Sequence, residues 1–591
     1  MNSNLFKAVF VVFYLHFVLS DITCVKTTVG LIHGKDEDVN VFGEHSRVSK
    51  YLGIPYAESP VGELRFQKPV PKTPLQEPLN AVQYGNACLQ VDIGMQPKGD
   101  TSYSEDCLYL NIYAPKKPEQ GEKLAVMVWF HGGGFIVGSA DIYPADHLAV
   151  YGDVVVVTVN YRLTVFGFLS TGDEHAPGNY GLWDQRMALD WVNKNIEGFG
   201  GDPARVTIFG ESAGAASVIY QGLYPDNRGL FQRLVAQSGS AGSWWASNDN
   251  YKEDTEKLAK LAGCATGSSR NILTCLKAIP GETLLGIVDN LENGFKAVPI
   301  PFIPRFDKDF VKLLSKQTFV PGNELPVESR DFFRSLDIMV GMNCGEGSLS
   351  LSPFFGVTDP PSFLPNKTDF KDLIVPAIQN LAFPGNTDQI VRDAIIAEYT
   401  SWENPDNEYL IRDEFLAMHS DFTFTDPLYR ALDYHSESTS NTYMYYFDEV
   451  TTNHLFGNVP WYNKLGHGDE IPFIFGFKNA DHVHDWKFYA KEWEAQLSKS
   501  VMKLWANFAK TGNTNLPDDL DLDWLPYTRR HQHYLQISRD MTSLNVKQRW
   551  NTRRANFWGN LLPSIVKASQ CARDTKDSGQ QSCPATGKCP P

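Results

Sequence analysis

A serine between two glycines, placed directly after a strand-like run, is the feature that most constrains this chain. Residues 205–209 (RVTIF) are β-branched and aromatic, which predicts a short buried strand. Gly210-Glu211-Ser212-Ala213-Gly214 follows, and residues 213–220 have the pattern of the first turns of a helix. This order is typical of a sharp turn that raises a serine hydroxyl above a sheet edge. The pattern therefore predicts Ser212 as a nucleophile.

Short apolar runs alternate with helix-like segments through the first half of the chain. Continuous apolar strands separated by helices favour a mostly parallel sheet that is covered on both faces. We therefore predict an α/β protein with a large, mostly parallel central sheet flanked by helices. The helical, proline-rich region 245–335 is expected as an insertion around this sheet. The strand candidates are 124–130, 154–160, 206–209, 234–237, 338–341 and 442–447, and the clearest helix candidate is 182–196.

The composition argues against several classes of protein. Hydrophobic residues make up 42% of the 591 residues and aromatic residues 13%, which is typical of a folded chain. The net charge of −16 repels phosphate backbones, so no nucleic-acid partner is expected. Beyond the N-terminal segment no run of roughly 18 apolar residues occurs, so no integral membrane span is expected.

The N-terminal segment predicts export. An apolar run over residues 8–20 follows one basic residue and ends in a small side chain, which indicates a signal peptide over residues 1–20. Cleavage after Cys24 fits the pattern equally well, and a membrane anchor is the alternative interpretation. We expect a secreted, extracellular protein with a folded domain over 21–565 and a disordered, cysteine-containing tail over 566–591.

The cysteines and one glycosylation motif agree with export. Cys88 lies close to Cys107 in the sequence, and Cys264 lies close to Cys275, so an oxidising compartment would let each pair close a local loop. Spacing by itself does not establish this pairing. The tail holds three further cysteines, and this odd number leaves a disulfide-linked homodimer open. Asn366 begins an Asn-Lys-Thr acceptor sequence for N-glycosylation.

A serine that accepts an acyl group needs a base, an acid that orients the base, and donors for the developing oxyanion. The sequence His-Gly-Gly-Gly-Phe at 131–135 directly follows the strand candidate 124–130. Three glycines let backbone N–H groups turn toward a substrate oxygen, as in the oxyanion loops of esterases and lipases. We expect donors at Gly133, Gly134 and Ala213. A plain glycine-rich turn is the alternative interpretation.

The acid and the base are expected after the serine, in that order. His467 stands out because Gly466 and Gly468 flank it on a loop, and His454 is its nearest competitor. Glu346 follows the strand candidate 338–341, and the carboxyl ends of strands are where α/β sheets hold functional groups. On pattern alone, other acidic residues remain open as the acid.

Four longer motifs resemble the type-B carboxylesterase and cholinesterase family, and the resemblance extends from about residue 27 to about residue 560. The motifs are YLGIPYA at 51–57, SEDCLYLN at 104–111, NYGLWDQRMALDWVNKNIEGFGGDPARVTIFGESAGAAS at 179–217 and GHGDE at 466–470. The resemblance implies the α/β-hydrolase fold over 21–565.

By position, the resemblance implies Ser212 as the nucleophile, Glu346 as the acid and His467 as the base. It also implies that Glu211 borders the acyl site, whereas a solvated loop carboxylate is the simpler interpretation of that residue. No cofactor and no metal are expected. The family's matching disulfides would be Cys88–Cys107 and Cys264–Cys275.

The chain departs from cholinesterases in the first cysteine loop. Those enzymes bind a quaternary ammonium on a tryptophan there, whereas this loop has none, and Pro97 occupies the corresponding offset. Leu349 replaces an aromatic residue that acetylcholinesterases carry after the acid. We therefore expect a secreted serine hydrolase that cleaves carboxylic esters through an acyl-enzyme intermediate, with a small-molecule ester of apolar character as its substrate. The alternatives are a lipase or sterol-ester hydrolase of the family and, with less support, a cholinesterase or a non-catalytic neuroligin-like adhesion protein.

Overall fold

The computed structural model describes most of the chain between residues 22 and 578. The predicted signal peptide over 1–20 lies outside the described residues, and so do Pro97, Cys583 and Cys589. The internal segments that are also outside the description are 92–100, 117–121, 293–299, 308–309, 311–324, 352–359, 456–458, 460, 479–487 and 518–519.

Thirteen of the described strands form one sheet, in the order β1-β2-β3-β7-β9-β8-β10-β11-β12-β13-β14-β15, with β4 beside β2. Strands β5 and β6 form a separate small pair. The strands are β1 (Ile22–Thr27), β2 (Gly30–Val41), β3 (Glu44–Pro55), β4 (Leu79–Asn80), β5 (Ala87–Cys88), β6 (Tyr103–Ser104), β7 (Tyr109–Pro115), β8 (Leu124–Phe130), β9 (Val155–Val159), β10 (Gly201–Glu211), β11 (Arg233–Gln237), β12 (Asp337–Asn343), β13 (Thr442–Phe447), β14 (His533–Ile537) and β15 (Val546–Gln548).

Helices follow most of the central strands and cover both faces of the sheet. Single turns of 3-10 helix also occur, of which Glu346–Leu351 concerns the site, and π-helical turns occupy Phe370–Ile374, Asp421–Thr425 and Phe557–Leu561. The α-helices are α1 (Asp146–Gly152), α2 (Thr164–Phe168), α3 (Tyr180–Asn195), α4 (Ala213–Leu223), α5 (Tyr251–Leu261), α6 (Ser269–Ala278), α7 (Gly281–Glu292), α8 (Val327–Phe333), α9 (Lys367–Asp369), α10 (Val375–Ala382), α11 (Gln389–Glu398), α12 (Glu408–Ser420), α13 (Asp426–His435), α14 (Ile471–Ile474), α15 (Glu492–Thr511), α16 (Thr552–Asn556) and α17 (Leu562–Ser578).

The central sheet is parallel from β9 to β14, and both of its margins are antiparallel apart from the short strand β4, which pairs with β2 in parallel. Successive side chains of a strand point to opposite faces, so each central strand serves two cores. In β8, Val128 packs into the core that contains α4, and Trp129 packs into the core that contains α15. These two buried faces explain why the central strands are apolar throughout, and they confirm the predicted α/β fold.

The connection between β11 and β12 contains the four helices α5 to α8, in agreement with the helical insertion expected over 245–335. The C-terminal boundary differs from the prediction. The tail was expected to be disordered from residue 566, but α17 continues to Ser578. Val566 is buried in a helical core, and Ser569 and Arg573 both contact the carboxylate of Asp388. These contacts stabilise a segment that looks polar in the sequence.

The structure contains both disulfides that the resemblance implies, Cys88–Cys107 and Cys264–Cys275. They close loops with sequence separations of 19 and 11 residues. Within the described residues no single helix has the length and apolar composition to cross a membrane. One bent pair, Ser269–Ala278 with Gly281–Leu291, meets the length and composition criteria as a pair.

Candidate active site

Ser212 lies in the sharp turn between β10 and α4, with φ 56° and ψ −118°. Such a positive φ is uncommon for a residue with a side chain, and it persists only where the surroundings impose it. The Ser212 N–H donates to the carbonyl oxygen of Gln237 at 2.9 Å. A Cβ atom at Gly214 would overlap the carbonyl oxygen of Phe130, so this position requires glycine. The turn therefore has the geometry that the sequence pattern predicted.

Glu346 lies three residues beyond β12 and is fully buried. Its Oε1 atom accepts hydrogen bonds from the Ser238 hydroxyl at 2.5 Å and from the Asn343 N–H at 2.7 Å. Its Oε2 atom lies 2.6 Å from Nδ1 of His467. Because both oxygens are engaged, the carboxyl group is held in one orientation toward the histidine.

His467 is carried by a loop that is attached to the end of β12. Gly466 forms a parallel bridge with Gly345, and its carbonyl oxygen accepts a hydrogen bond from the Asn343 side chain at 2.8 Å. The Phe424 ring, on a π-helical turn, packs against the imidazole with 4.8 Å between ring centroids. These contacts leave His467 only 2% exposed.

The second nitrogen of His467 faces another carboxyl group. Nε2 lies 3.2 Å from Oε1 of Glu211, the residue directly before Ser212. Glu211 is 4% exposed, so it is not the solvated loop carboxylate of the simpler interpretation. Its position agrees instead with the implication that Glu211 borders the site. Sequence reasoning did not anticipate that this carboxyl would contact the imidazole.

Burial and neighbouring charges shift the pKa values in this cluster. Burial raises the pKa of Glu211 to about 8, against the opposing effect of His467. Burial and the charge of Glu346 raise the pKa of Glu470 to about 7. Burial lowers the pKa of His467, but Glu211 and Glu346 outweigh this effect and raise it to about 9. The cluster therefore retains protons at neutral pH that isolated carboxyl groups would lose.

Glu470 is a member of the site for which sequence reasoning gave no role. Its Oε2 atom accepts a hydrogen bond from the Asn343 side chain at 2.5 Å, and its Oε1 atom lies 3.3 Å from Nε2 of Gln237. Gln237 in turn accepts a hydrogen bond from the indole of Trp505 at 3.0 Å. Glu470 belongs to the GHGDE motif, but its hydrogen-bond partners lie in segments more than 120 residues away in the sequence. The motif therefore gives no indication of these contacts.

The glycine-rich loop at 131–135 lies beside the serine turn. A Cβ atom at Gly132 would lie 2.6 Å from Oε2 of Glu211, so the loop and the turn are in direct contact. Gly133 has φ 101° and Gly134 has φ 63°, conformations that favour glycine. The Gly133 carbonyl accepts hydrogen bonds from Ile136 and Val137, both at 3.0 Å, which fixes the orientation of that peptide.

The structure distinguishes between the two histidines that the sequence offers as candidates for the base. His467 contacts Glu346 and Glu211, whereas His454 contacts Asp469 at 2.7 Å through Nδ1. Asn366 lies elsewhere, exposed at the N-terminus of α9.

Comparisons with known proteins agree with this fold. A model of the carboxylesterase family matches residues 21–558. The chain is 37% identical to carboxylesterase 5A of Homo sapiens over 559 residues, which cover 92% of this chain and 90% of that protein. It is 32% identical to acetylcholinesterase of Electrophorus electricus over 633 residues, with coverages of 98% and 94%. Acetylcholinesterase of Danio rerio is 33% identical over 613 residues, with coverages of 93% and 90%.

The fold and the family match define the class of protein: this chain belongs to the carboxylesterase family of α/β hydrolases. It is a carboxylic ester hydrolase, as are the carboxylesterase 5A relatives.

Proposed function

We propose that the chain cleaves esters through a Ser212–His467–Glu346 triad and an acyl-enzyme intermediate. The observation that carries this proposal is the 2.6 Å contact between His467 Nδ1 and Glu346 Oε2, on a ring whose Nε2 lies 3.2 Å from Glu211, the residue directly before Ser212. A carboxylate at Nδ1 fixes the imidazole tautomer whose Nε2 can accept a proton. This is the arrangement that an acyl-transfer serine needs.

In the first half-reaction, Nε2 of His467 takes the Ser212 proton while Oγ bonds to the ester carbonyl carbon. Glu346 stabilises the resulting imidazolium. The tetrahedral intermediate collapses when its bond to the alkoxy oxygen breaks, and His467 gives its proton to the departing alcohol. In the second half-reaction, water loses a proton to His467 and attacks the acyl group. Ser212 leaves with that proton, and a carboxylic acid is released.

Gly133, Gly134 and Ala213 are the proposed donors for the oxyanion. Two observations support this assignment: a Cβ atom at Gly132 would lie 3.2 Å from Cβ of Ser212, so the glycine-rich loop adjoins the serine turn, and α4 begins at Ala213. A single donor of this kind typically contributes about 3 kcal/mol to the stability of the transition state.

Glu211 affects the protonation of His467, the proposed base. A carboxylate at Nε2 would favour the imidazolium, which is inactive as a base. The charge of Glu211 helps to raise the pKa of His467 to about 9, whereas the protonated form of Glu211, which burial favours, lacks this effect. We infer that Glu211 tunes the proton affinity of the base.

The proposed substrate class is small carboxylic esters of apolar character, not choline esters. The loop closed by Cys88 and Cys107 contains no tryptophan that could bind a quaternary ammonium. The Phe424 ring at His467 gives the site an apolar wall.

We further propose that the chain is exported and glycosylated at Asn366. Two disulfides are compatible with an oxidising compartment. Asn366 is exposed, and its Oδ1 atom accepts hydrogen bonds from the N–H groups of Thr368 at 2.8 Å and Asp369 at 3.0 Å. These hydrogen bonds engage Oδ1 and not Nδ2, the atom that carries an N-glycan. The tail cysteines leave a disulfide-linked homodimer as a further proposal, which gel mobility with and without reductant would test.

The test compares p-nitrophenyl acetate, a long-chain triglyceride and acetylthiocholine as substrates of the wild type and of Ser212→Ala. We expect efficient cleavage of the first substrate, little cleavage of the other two, and a loss of about 10⁴-fold or more in the variant. Preferential triglyceride cleavage would identify a lipase, and preferential acetylthiocholine cleavage a cholinesterase. Full activity of Ser212→Ala would contradict the proposed nucleophile.

A further inference from the structure

Asp469 ties two chain segments together next to the proposed base. It is 2% exposed. Its Oδ2 atom accepts hydrogen bonds from Nδ1 of His454 and from the Gly466 N–H, each at 2.7 Å. Its Oδ1 atom accepts a hydrogen bond from the Leu455 N–H at 2.7 Å. One carboxyl group therefore joins the segment 454–455 to the residue that precedes His467.

The same segment also contacts the chain on the other side of His467. Gly468 has φ 77°, and a Cβ atom there would lie 2.7 Å from Cδ2 of Leu455. At Gly466 a Cβ atom would lie 2.8 Å from Oγ of Ser348 and 3.0 Å from Oδ2 of Asp469. Both glycine neighbours of His467 are thus held closely. Leu455 contacts the Gly468 side directly, and the segment 454–455 reaches the Gly466 side through Asp469.

His454 supplies charge as well as a hydrogen bond. Its imidazole is the one basic side chain within ion-pair distance of Asp469 in the described part of the chain. Loss of His454 would leave the buried Asp469 carboxylate with two backbone N–H donors and without its cationic partner, and this uncompensated charge would weaken the junction. In agreement with this contact, the hydrogen bond to Asp469 raises the pKa of His454.

We propose that His454 is a positioning residue for catalysis, acting through Asp469 to hold the Gly466–His467–Gly468 turn against the end of β12. This inference rests on the proposed role of His467 as the base. The inference assigns a function to His454, which the sequence offered as an alternative base and which is not part of the proposed triad. His454 acts on the geometry of the loop and not on the reacting atoms.

The expected effect is on turnover more than on substrate affinity. Small displacements of a catalytic group can reduce the rate about 100-fold, and loss of a supporting contact typically costs 10- to 100-fold in activity. His454→Ala is therefore expected to lower kcat by about 10- to 100-fold and to change KM by less than about twofold.

The test measures kcat and KM for p-nitrophenyl acetate together with the fraction of chains that an organophosphate labels at completion. The variants are His454→Ala and His454→Asn, whose amide can still donate to Asp469, and the control is His531→Ala, since His531 is exposed. We expect His454→Ala to lose turnover, His454→Asn to recover most of it, and the control to match the wild type. Labelled fractions near one per chain would exclude misfolding as the cause.

Two results would overturn the inference: wild-type kcat in His454→Ala, or equal losses in His454→Ala and His454→Asn. A change in KM without a change in kcat would also contradict it, because a positioning role acts on turnover. Failure of the proposed triad is distinguishable, since it would appear as retained activity in His467→Ala, measured in parallel. If His454→Ala has a normal kcat while His467→Ala is inactive, the inference about His454 is refuted and the proposed triad is not.

Discussion

Nε2 of His467 lies 3.2 Å from Oε1 of Glu211, while Nδ1 of the same ring lies 2.6 Å from Oε2 of Glu346. The imidazole thus contacts a carboxyl group at each nitrogen, and both carboxyl groups are buried. In the proposed mechanism, Glu346 lies on the side that orients the base. Glu211 lies on the side where that proposed base would exchange protons with Ser212 and the substrate.

Replacement of Glu211 by glutamine should move the acidic limb of activity to lower pH. Glu211 is one of three carboxyl groups that raise the pKa of His467, and the proposed base must be unprotonated to act. Removing that charge lowers the pKa of the base, so kcat/KM reaches half its maximum at a lower pH. The measurement is kcat/KM for p-nitrophenyl acetate between pH 5 and pH 10. Glu174→Gln, at an exposed position, serves as the control. An unshifted limb in Glu211→Gln would refute the coupling.

The same substitution should change how stability depends on pH. The pKa of Glu211 is raised by burial from 4.5 to about 8, so the folded state binds a proton that the unfolded state releases at lower pH. Folding stability therefore falls as pH rises from the unfolded pKa through the folded one. Glutamine mimics the protonated form of Glu211. The Tm of Glu211→Gln minus the Tm of the wild type should therefore increase as pH rises from 5 to 8. A constant difference in Tm across that range would contradict the expectation.

Ser238→Ala should impair catalysis although the serine touches neither the substrate nor His467. Its hydroxyl donates to Oε1 of Glu346 at 2.5 Å. A hydrogen bond to a charged group contributes about 1.5–3 kcal/mol, so we expect kcat to fall by about 10- to 100-fold. Ser240→Ala is the matched control, because Ser240 is a buried serine two residues further along whose hydroxyl bonds to Gly242. Equal kcat values in the two variants would argue against a positioning role for Ser238.

Gly214→Ala should abolish activity and destabilise the fold, since its Cβ atom would overlap the carbonyl oxygen of Phe130 in β8. Gly286→Ala is the contrasting substitution. No atom lies within 4 Å of a Cβ atom there, and alanine in a helix is favoured over glycine by about 0.5–1 kcal/mol. Thermal unfolding and active-site labelling with an organophosphate distinguish the two. Normal labelling of Gly214→Ala would show that the turn is less constrained than its contacts indicate.

Much of the central fold could be predicted from the sequence because its signals are local. The run 124–130 coincides with the strand Leu124–Phe130, and the helix expected over 182–196 is observed at Tyr180–Asn195. Strands buried on both faces are continuously apolar, which makes such runs conspicuous. The antiparallel margin β1 to β3 carries a mixed pattern of half-exposed residues and gave no comparable signal.

The rest of the site depends on contacts between distant segments. Ser212 and the loop at 131–135 are marked by glycines, which have a local steric reason to be there. Glu470, Ser238 and Phe424 acquire their roles only when the ends of several strands meet, and no spacing rule indicates such partners. The same applies to α17, whose polar segment is stabilised by Asp388, nearly 200 residues earlier.

The most direct test of the account is the site of covalent modification. Wild-type protein, Ser212→Ala, His467→Ala and Glu346→Gln are each incubated with an organophosphate, digested, and analysed by peptide mass spectrometry over time. We predict one adduct per chain on Ser212 in the wild type, none in Ser212→Ala, and much slower formation when His467 or Glu346 is replaced. An adduct on another residue, or labelling of Ser212→Ala at the wild-type rate, would contradict the proposed triad.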